Sequence, residues 1–308
     1  MLALKERDGS MVTAIVVSYQ PEFATLTRLL AAVIPQVGRV VVVDNGSSVE
    51  IDSWLQAHFP GVDCLELGRN YGIAHAQNRG IAWAARQGAV NSVLLLDQDS
   101  EPEEGMVAAL LFAKQRLLDK GVPVACVGPR YTDERQQNPP PFLRLRGLRM
   151  ERCPCVTSDS VPEVEYLIAS GCLIPLQVLE LVDGMREDLF IDYVDIEWGL
   201  RAKSFGYRSF GVCSARMKHS LGSDPIRFFG RYIPMHSPLR HYYHFRNAVL
   251  LYREAWVPFN WKLVDGWRLL LKYGFYTIFG KPRLEHWRMM TLGLRHGLQG
   301  KTGKFEKG

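Results

Sequence analysis

Hydrophobic positions in the first hundred residues fall into two alternating patterns. Short, nearly unbroken apolar runs (VTAIVVSY, GRVVVVD, VDCLELG, SVLLLD) are separated by longer amphipathic stretches (FATLTRLLAAVI, SSVEIDSWLQAHF, IAHAQNRGIAWAARQG). A short apolar run without polar alternation suits a strand buried on both faces, and helix-length connections between such strands make them parallel neighbours. The expectation is a doubly wound α/β half-domain: a mostly parallel sheet with helices on both faces.

Further along, a helix over roughly 103–120 leads to a strand at VPVACVG. The following stretch, RYTDERQQNPPPFLRLRGLRMERCPCVTSDSVPE, carries a proline triplet and reads as a long surface loop placed like a lid. Order resumes with a strand pair at VEYLIASGCLIP, a helix at FIDYVDIEWGLRAKSFGY closed by Gly206, and a strand at RSFGVCSARMKHS. From Pro238 onward the period is helical in three segments. The expected organisation is an α/β domain over 1–237, with halves 11–128 and 129–237, and a helical region over 238–308.

A chain of 308 residues with 47% hydrophobic composition buries one large core or two modest ones. The net charge of +5 is unevenly spread: 26 Lys and Arg face 28 Asp and Glu up to residue 252, and 11 face 4 afterwards. That tail also holds Trp256, Trp261, Trp267, Tyr273, Phe275, Tyr276, Phe279 and Trp287. Cations interleaved with aromatics, Lys262, Arg268, Lys272 and Lys281 among them, favour an anionic membrane surface over nucleic acid. A helical flap on the α/β domain or a homo-oligomer interface are the other readings of the same segment. The opening MLALKERDGSM has charges where a signal peptide needs an apolar core, and no apolar run reaches the roughly 18 residues of a span, so a cytoplasmic protein, peripheral at the inner face of the membrane, is expected. Six cysteines without paired CxxC units read as reduced thiols, not as a zinc site or disulfide frame.

Candidate chemistry gathers at the predicted carboxyl ends of the strands, where open α/β sheets bind ligands. The first strand ends in Ser18-Tyr19-Gln20-Pro21, with no GxGxxG, which removes the main support for a dinucleotide. The second ends in Asp44-Asn45-Gly46-Ser47, groups able to bond a base or ribose, or simply a turn. The loop GRNYGIAHAQNRG sets Asn70 and Asn78 around a helix start that favours phosphate, or around an ordinary alanine-rich packing face. In LLLDQDS, alternation along an extended chain points Asp97 and Asp99 the same way, and two such carboxylates at a dry cleft call for Mg²⁺ or Mn²⁺. Asp192, Asp195 and Glu197 crowd a helix start, either as an N-cap with an i,i+4 Glu197–Arg201 pair or as the place for a base of raised pKa. His219 is a third metal ligand or a structural histidine.

Taken together, IVVSYQP, VVVDNGS, GRNYGIAHAQNRG, LLLDQDS, LIASGCLI, LFIDYVDIEWGLRA, the late histidine and HYYHFRN follow the order seen in inverting family 2 glycosyltransferases of GT-A fold, and the chain resembles their dTDP-L-rhamnose-dependent bacterial subgroup over roughly residues 12–250. The resemblance implies a dTDP-L-rhamnose donor held by Ser18, Tyr19, Asp44 and Asn45, with Asn70 and Asn78 near it. It implies metal ligation by Asp99, assisted by Asp97 and His219, a general base at Asp195, and Arg246 near the diphosphate. The acceptor would be a glycan or lipid-linked hydroxyl. Other nucleotide sugars, such as UDP-hexose or UDP-galactofuranose, and a non-catalytic sugar-nucleotide-binding protein are the alternatives. A departure from the family pattern is Val194 where many members carry Glu before the base, which leaves open whether Asp192 or Glu197 assists Asp195.

Overall fold

The computed structural model describes residues 11–306 apart from 89, 133–141, 220–222 and 229–230. The elements run β1 (Val12–Ser18), α1 (Phe23–Val33), β2 (Arg39–Asp44), α2 (Ile51–His58), β3 (Asp63–Glu66), α3 (Ile73–Arg86), β4 (Ser92–Asp97), β5 (Ser100–Pro102), α4 (Met106–Leu118) and β6 (Val124–Thr132). They continue with β7 (Phe142–Arg146), β8 (Arg149–Cys153), β9 (Glu163–Val164), β10 (Leu173–Pro175), α5 (Leu176–Val182), α6 (Val194–Ser204), β11 (Arg208–His219), β12 (Ser223–Phe228) and β13 (Arg231–Met235). Three helices close the chain: α7 (Pro238–Tyr252), α8 (Phe259–Phe279) and α9 (Arg283–Leu298).

The main sheet has the order β3-β2-β1-β4-β10-β6-β11-β5, with β9 on β11. Strands β1 to β4 are parallel as the sequence pattern predicts, β6 and β11 are parallel, and β10 and β5 run against their neighbours. The double burial is visible residue by residue. In β4, Val93 and Leu95 pack into the core shared with α3, α5, α6 and α7, while Leu94 and Leu96 pack into the opposite core under α1, α2 and α4. That alternation is why the strand shows no polar face. Helices α7, α8 and α9 contribute Phe245, Leu251, Trp261, Leu269 and Met290 to the first of these cores.

Two expectations are corrected. The stretch read as a long loop contains a hairpin, β7 pairing β8 around Gly147 at φ 60°; its LRLRGLRMER alternation has the period of a strand, but the preceding prolines masked it. Cysteines are not all reduced either: Cys155 and Cys213 form a disulfide across 58 residues, tying the segment after the hairpin to β11. Such long-range pairing leaves no trace in local spacing. Among the described residues, no helix is long and apolar enough to cross a membrane.

Candidate functional site

A cavity of about 830 Å³ opens at the carboxyl ends of β1, β2 and β4, with Tyr19, Asn45 and Asp97 on its wall. This is the crevice where sheet order reverses, since β1 sits between β2 and β4 while the chain runs outward from it on both sides.

The strand ends are tied together from behind. Gln98 accepts from the Tyr19 amide at 2.8 Å and from Ser18 Oγ at 3.2 Å, so the turn after β4 fixes the mouth of β1. Asn45 accepts from the Tyr71 amide at 2.9 Å and donates to Asn70 Oδ1, which itself accepts from the Gly72 amide. Gly72, at φ 95°, is required here: a Cβ would sit 2.4 Å from the Phe190 carbonyl oxygen, and that oxygen accepts from the Ile73 amide at 2.8 Å. The first amide of α3 therefore binds the segment before α6 rather than remaining open to a phosphate. Gln77, also on the cavity wall, is buried, and its Oε1 has no hydrogen-bond partner among the described residues, an acceptor that a ligand hydroxyl or N–H can satisfy.

Asp97 ends β4, and Gln98 and Asp99 form a turn before β5. The carboxylates are thus not alternate residues of one extended strand, as expected: Asp97 ends the strand and Asp99 lies in the turn after it, and both still line the cavity. An all-oxygen pair on the cavity wall suits a hard divalent ion that completes its shell with substrate phosphates and water. Among the described residues no group of three His, Cys, Asp or Glu is arranged to hold a metal. The backbone of His219 lies opposite Ser100, beside that turn, and its side chain lies outside the described residues. His236 and His244 do line the cavity, and burial, with Arg240 next for His236 and Lys272 next for His244, keeps both imidazoles below their ordinary pKa.

Asp195 sits in the first turn of α6, recessed in the cavity wall, with its Oδ1 accepting from the Ile196 amide at 2.8 Å. Burial raises its pKa to about 6; the Ile196 bond opposes this, and Asp192 and Asp97 add to it. Glu197 is excluded as a helper. It is 2% exposed and held in two bonds by Arg201, at 2.8 and 3.0 Å. Asp192 faces the cavity and is paired to Arg240 at 2.6 Å. Burial works to lower the Arg240 pKa, but Asp192 first, with Asp97 and Asp195, holds it above its ordinary value.

The segment leading to Asp195 is strained. Phe190, Asp192 and Tyr193 all have φ between 63° and 66°, a conformation that costs about 1–3 kcal/mol per residue and persists only where the surroundings impose it. Asn247 imposes it, its amide donating to the carbonyls of Leu189, Ile191 and Asp192 at 2.8–2.9 Å. Arg246 supports the same segment through Leu189 O and Gly303 O. From the other side, Tyr193, the N-cap residue of α6, donates to Asp265 of α8 at 2.8 Å, and Tyr252 donates to the same oxygen.

Of the residues singled out in the sequence, Tyr19, Asn45, Asn70, Asp97, Asp99 and Asp195 meet on this cavity. Ser18 stands behind it on Gln98, and Asp44, the last residue of β2, is buried with its carboxylate accepting from Ser47 N and Oγ. Asn78 does not face the cavity; one helical turn beyond the mouth of α3, it is engaged by Met185 and Glu187. Arg246 is 1% exposed, with its guanidinium consumed by carbonyls and Asn247, so it braces the segment before Asp195 and does not line the cavity. The cation on the cavity is Arg240, six residues earlier on α7. Asp192, weighed in the sequence as an aid to Asp195, also lines the cavity. Gln77, Gln98, Arg240 and His236 were missed because none belongs to a motif that specifies its chemistry. Gln98, inside DQD, was the one within reach.

Residues 13–161 match the Glycosyl transferase family 2 profile. The chain is 32% identical over 296 residues to the dTDP-rhamnosyl transferase RfbF of Shigella flexneri, covering 96% of this chain and 98% of that protein. It is 25% identical to the low-salt glycan biosynthesis hexosyltransferase Agl10 of Haloferax volcanii, covering 96% and 94%. In fold it is similar to S. aureus TarS 1-349 in complex with UDP-GlcNAc (TM-score 0.59, 15% identity, 94% of this chain and 81% of that one). It is also similar to GalNAc-T7 with UDP, GalNAc and Mn²⁺ (TM-score 0.59, 13% identity, 94% and 56%). With a GT-A sheet, and with near-complete coverage of a relative at this level of identity, the chain belongs to glycosyl transferase family 2 and is a glycosyltransferase.

Proposed function

We propose that the enzyme is an inverting transferase that moves L-rhamnose from dTDP-L-rhamnose to a hydroxyl of a glycan or lipid-linked acceptor in cell-surface polysaccharide or glycolipid synthesis. The observation that carries the chemistry is Asp195: a recessed carboxylate with its pKa raised to about 6, in the same cavity as the Asp97–Asp99 turn. A base of that pKa is ionised at neutral pH yet basic enough to accept a proton as the bond forms. The near-full-length likeness to a dTDP-rhamnosyl transferase supports the donor.

In this reading Asp195 takes the proton of the acceptor hydroxyl, the acceptor oxygen bonds to the anomeric carbon, and the carbon–oxygen bond to the diphosphate breaks on the opposite face. The electron pair leaves with dTDP, and configuration inverts. The leaving diphosphate is a good leaving group, so no protein acid is needed, in contrast to glycoside hydrolysis. Asp97 and Asp99 are the residues that would hold Mg²⁺ or Mn²⁺, and a bound ion would offset charge on the leaving phosphates. The Gln77 oxygen supplies an acceptor for a donor hydroxyl or base N–H.

The test is a panel of dTDP-rhamnose, UDP-hexoses and UDP-galactofuranose, scored by nucleoside diphosphate release with Mg²⁺, with Mn²⁺, and after chelation. Release from dTDP-rhamnose alone, lost on chelation and restored by either ion, is the expected pattern. Release from a UDP-sugar instead would overturn the donor assignment, and full turnover after chelation would overturn the metal.

Asp265 is a positioning residue in this scheme, since it acts on Asp195 only through Tyr193. Asp265→Asn is expected to lower kcat by roughly 10- to 100-fold, the cost of a slightly misplaced base, while leaving KM for the donor unchanged. Equal falls in kcat and in folded protein would mean that Asp265 only packs α8.

A further inference from the structure

Helix α8 is amphipathic, but its outer face is the apolar one that water should not see. Trp261, Leu269 and Tyr276 turn inward and are buried. On the other side Phe259, Leu263, Trp267, Leu270 and Ile278 form a stripe at intervals of three, four and eight residues, and Phe259 and Trp267 are 73% and 61% exposed. From Phe259 to Ile278 the stripe runs roughly 28 Å at about 1.5 Å per residue. The charged residues of this stretch, Lys262, Asp265, Arg268 and Lys272, fall on other faces of the helix. The β7–β8 hairpin adds Leu148 at its tip, 63% exposed, and α9 adds Leu284.

Beside the stripe, between α8 and the hairpin, lies a second cavity of about 750 Å³, separate from the catalytic one. Its walls carry three guanidiniums, Arg149, Arg152 and Arg268, together with apolar Leu143, Met150 and Val264, and no carboxylate among the described residues. The cations expected from the sequence at this surface are only partly there. Lys272 turns inward against His244, with its pKa lowered by burial to about 8, and Lys262 donates to the Glu254 carbonyl. The positive charge beside the stripe comes from Arg268 of α8 and from Arg149 and Arg152 of the hairpin.

We propose that the outer face of α8 and the tip of the β7–β8 hairpin form a docking surface for an anionic lipid bilayer, with headgroup phosphates entering the Arg149–Arg152–Arg268 cavity. Aromatic and aliphatic side chains on one helix face, bordered by cations, are what a helix lying in the plane of a charged interface needs. Charge selects the bilayer over a second copy of the chain. A two-fold contact through the stripe would place the same arginines near one another without a matching acidic patch in the cavity, and the chain beyond residue 252 carries 11 cations against 4 anions. Docking there would hold the catalytic cavity at the membrane, within reach of an acceptor whose lipid stays in it. The surface does not depend on the donor or the base, so vesicle binding and turnover can fail separately.

The full-length protein would be sedimented with vesicles of phosphatidylcholine, alone or with about a third phosphatidylglycerol. Binding to the anionic vesicles only, weakened as salt rises, is expected. Arg149→Gln with Arg152→Gln should weaken partitioning roughly 25-fold, at about fivefold per surface cation. Arg268 is left intact because it also bonds the Tyr166 side chain. Trp267→Glu with Leu270→Glu should abolish binding, with an unchanged melting temperature reporting that the fold is intact. Equal binding to neutral vesicles, no binding at all, or a concentration-dependent dimer that Trp267→Glu returns to monomer would each overturn the proposal.

Discussion

Asp195→Asn is expected to cut transfer by roughly 10²–10⁴-fold while leaving donor affinity unchanged, because the substitution removes a proton acceptor and keeps the shape and the Ile196 hydrogen bond of the side chain. The pH profile carries the sharper signature. Burial, with Asp192 and Asp97, raises the pKa of Asp195 to about 6, so kcat/KM of the parent enzyme should climb with pH and level off above about 6. The variant's residual activity should lack that inflection. Stability moves the opposite way. A carboxyl whose pKa is raised on folding from 3.8 to about 6 favours the folded state when protonated; that contribution is complete below pH 3.8 and is lost as pH rises through about 6. Asparagine never ionises, so at pH 8 the variant should be more stable than the parent by about 1–3 kcal/mol, and the gap should close in acid. Melting curves at pH 5 and pH 8 together with a donor titration check both halves. Loss of donor binding, or a variant less stable at pH 8, would make Asp195 a structural residue.

The enzyme spends stability to keep this carboxylate recessed, and the sequence disclosed the cost only indirectly. What was legible came from local pattern. Runs such as RVVVVD and SVLLLD announce strands buried on both faces, and the carboxylates that end such strands fall where α/β sheets bind ligands. Asp97, Asp99, Asn45 and Asn70 were found that way. What stayed hidden depends on residues far apart in the chain. β10 slots antiparallel between β4 and β6, and Cys155 meets Cys213. Asn78 looks like a ligand-facing residue until the 185–187 segment folds onto it. The Arg246–Asn247 pair was noticed but misassigned, since nothing in HYYHFRN says that both side chains point at the carbonyls of residues 189–192 and not at a phosphate. Polar pairs read from sequence are ambiguous in this way: a buried guanidinium is as well satisfied by carbonyl oxygens as by a diphosphate.

That misassignment gives the second large effect. Asn247→Leu keeps the volume of the side chain and removes the donors to Ile191 O and Asp192 O as well as the acceptor for Arg246 Nε, all in a buried setting. Each orphaned carbonyl costs about 1–3 kcal/mol, and the charged nitrogen costs at least as much, so a loss of roughly 3–5 kcal/mol is expected, seen as a melting temperature lower by about 5–15 °C. The catalytic loss should exceed what unfolding explains. With the amide gone, the left-handed backbone at Asp192 and Tyr193 loses the bonds to its own carbonyls, and the start of α6 should relax, carrying Asp195 with it. At a temperature where the variant is fully folded, kcat should therefore fall while KM for the donor holds. Asn247→Asp separates the contributions, since it keeps the partner of Arg246 and loses only the donors; it should recover part of the stability and none of the kcat. Parent-like kcat in folded Asn247→Leu would instead assign the geometry of the segment to packing, with Phe190 stacked on Tyr243 at 5.1 Å holding the loop without help from the amide.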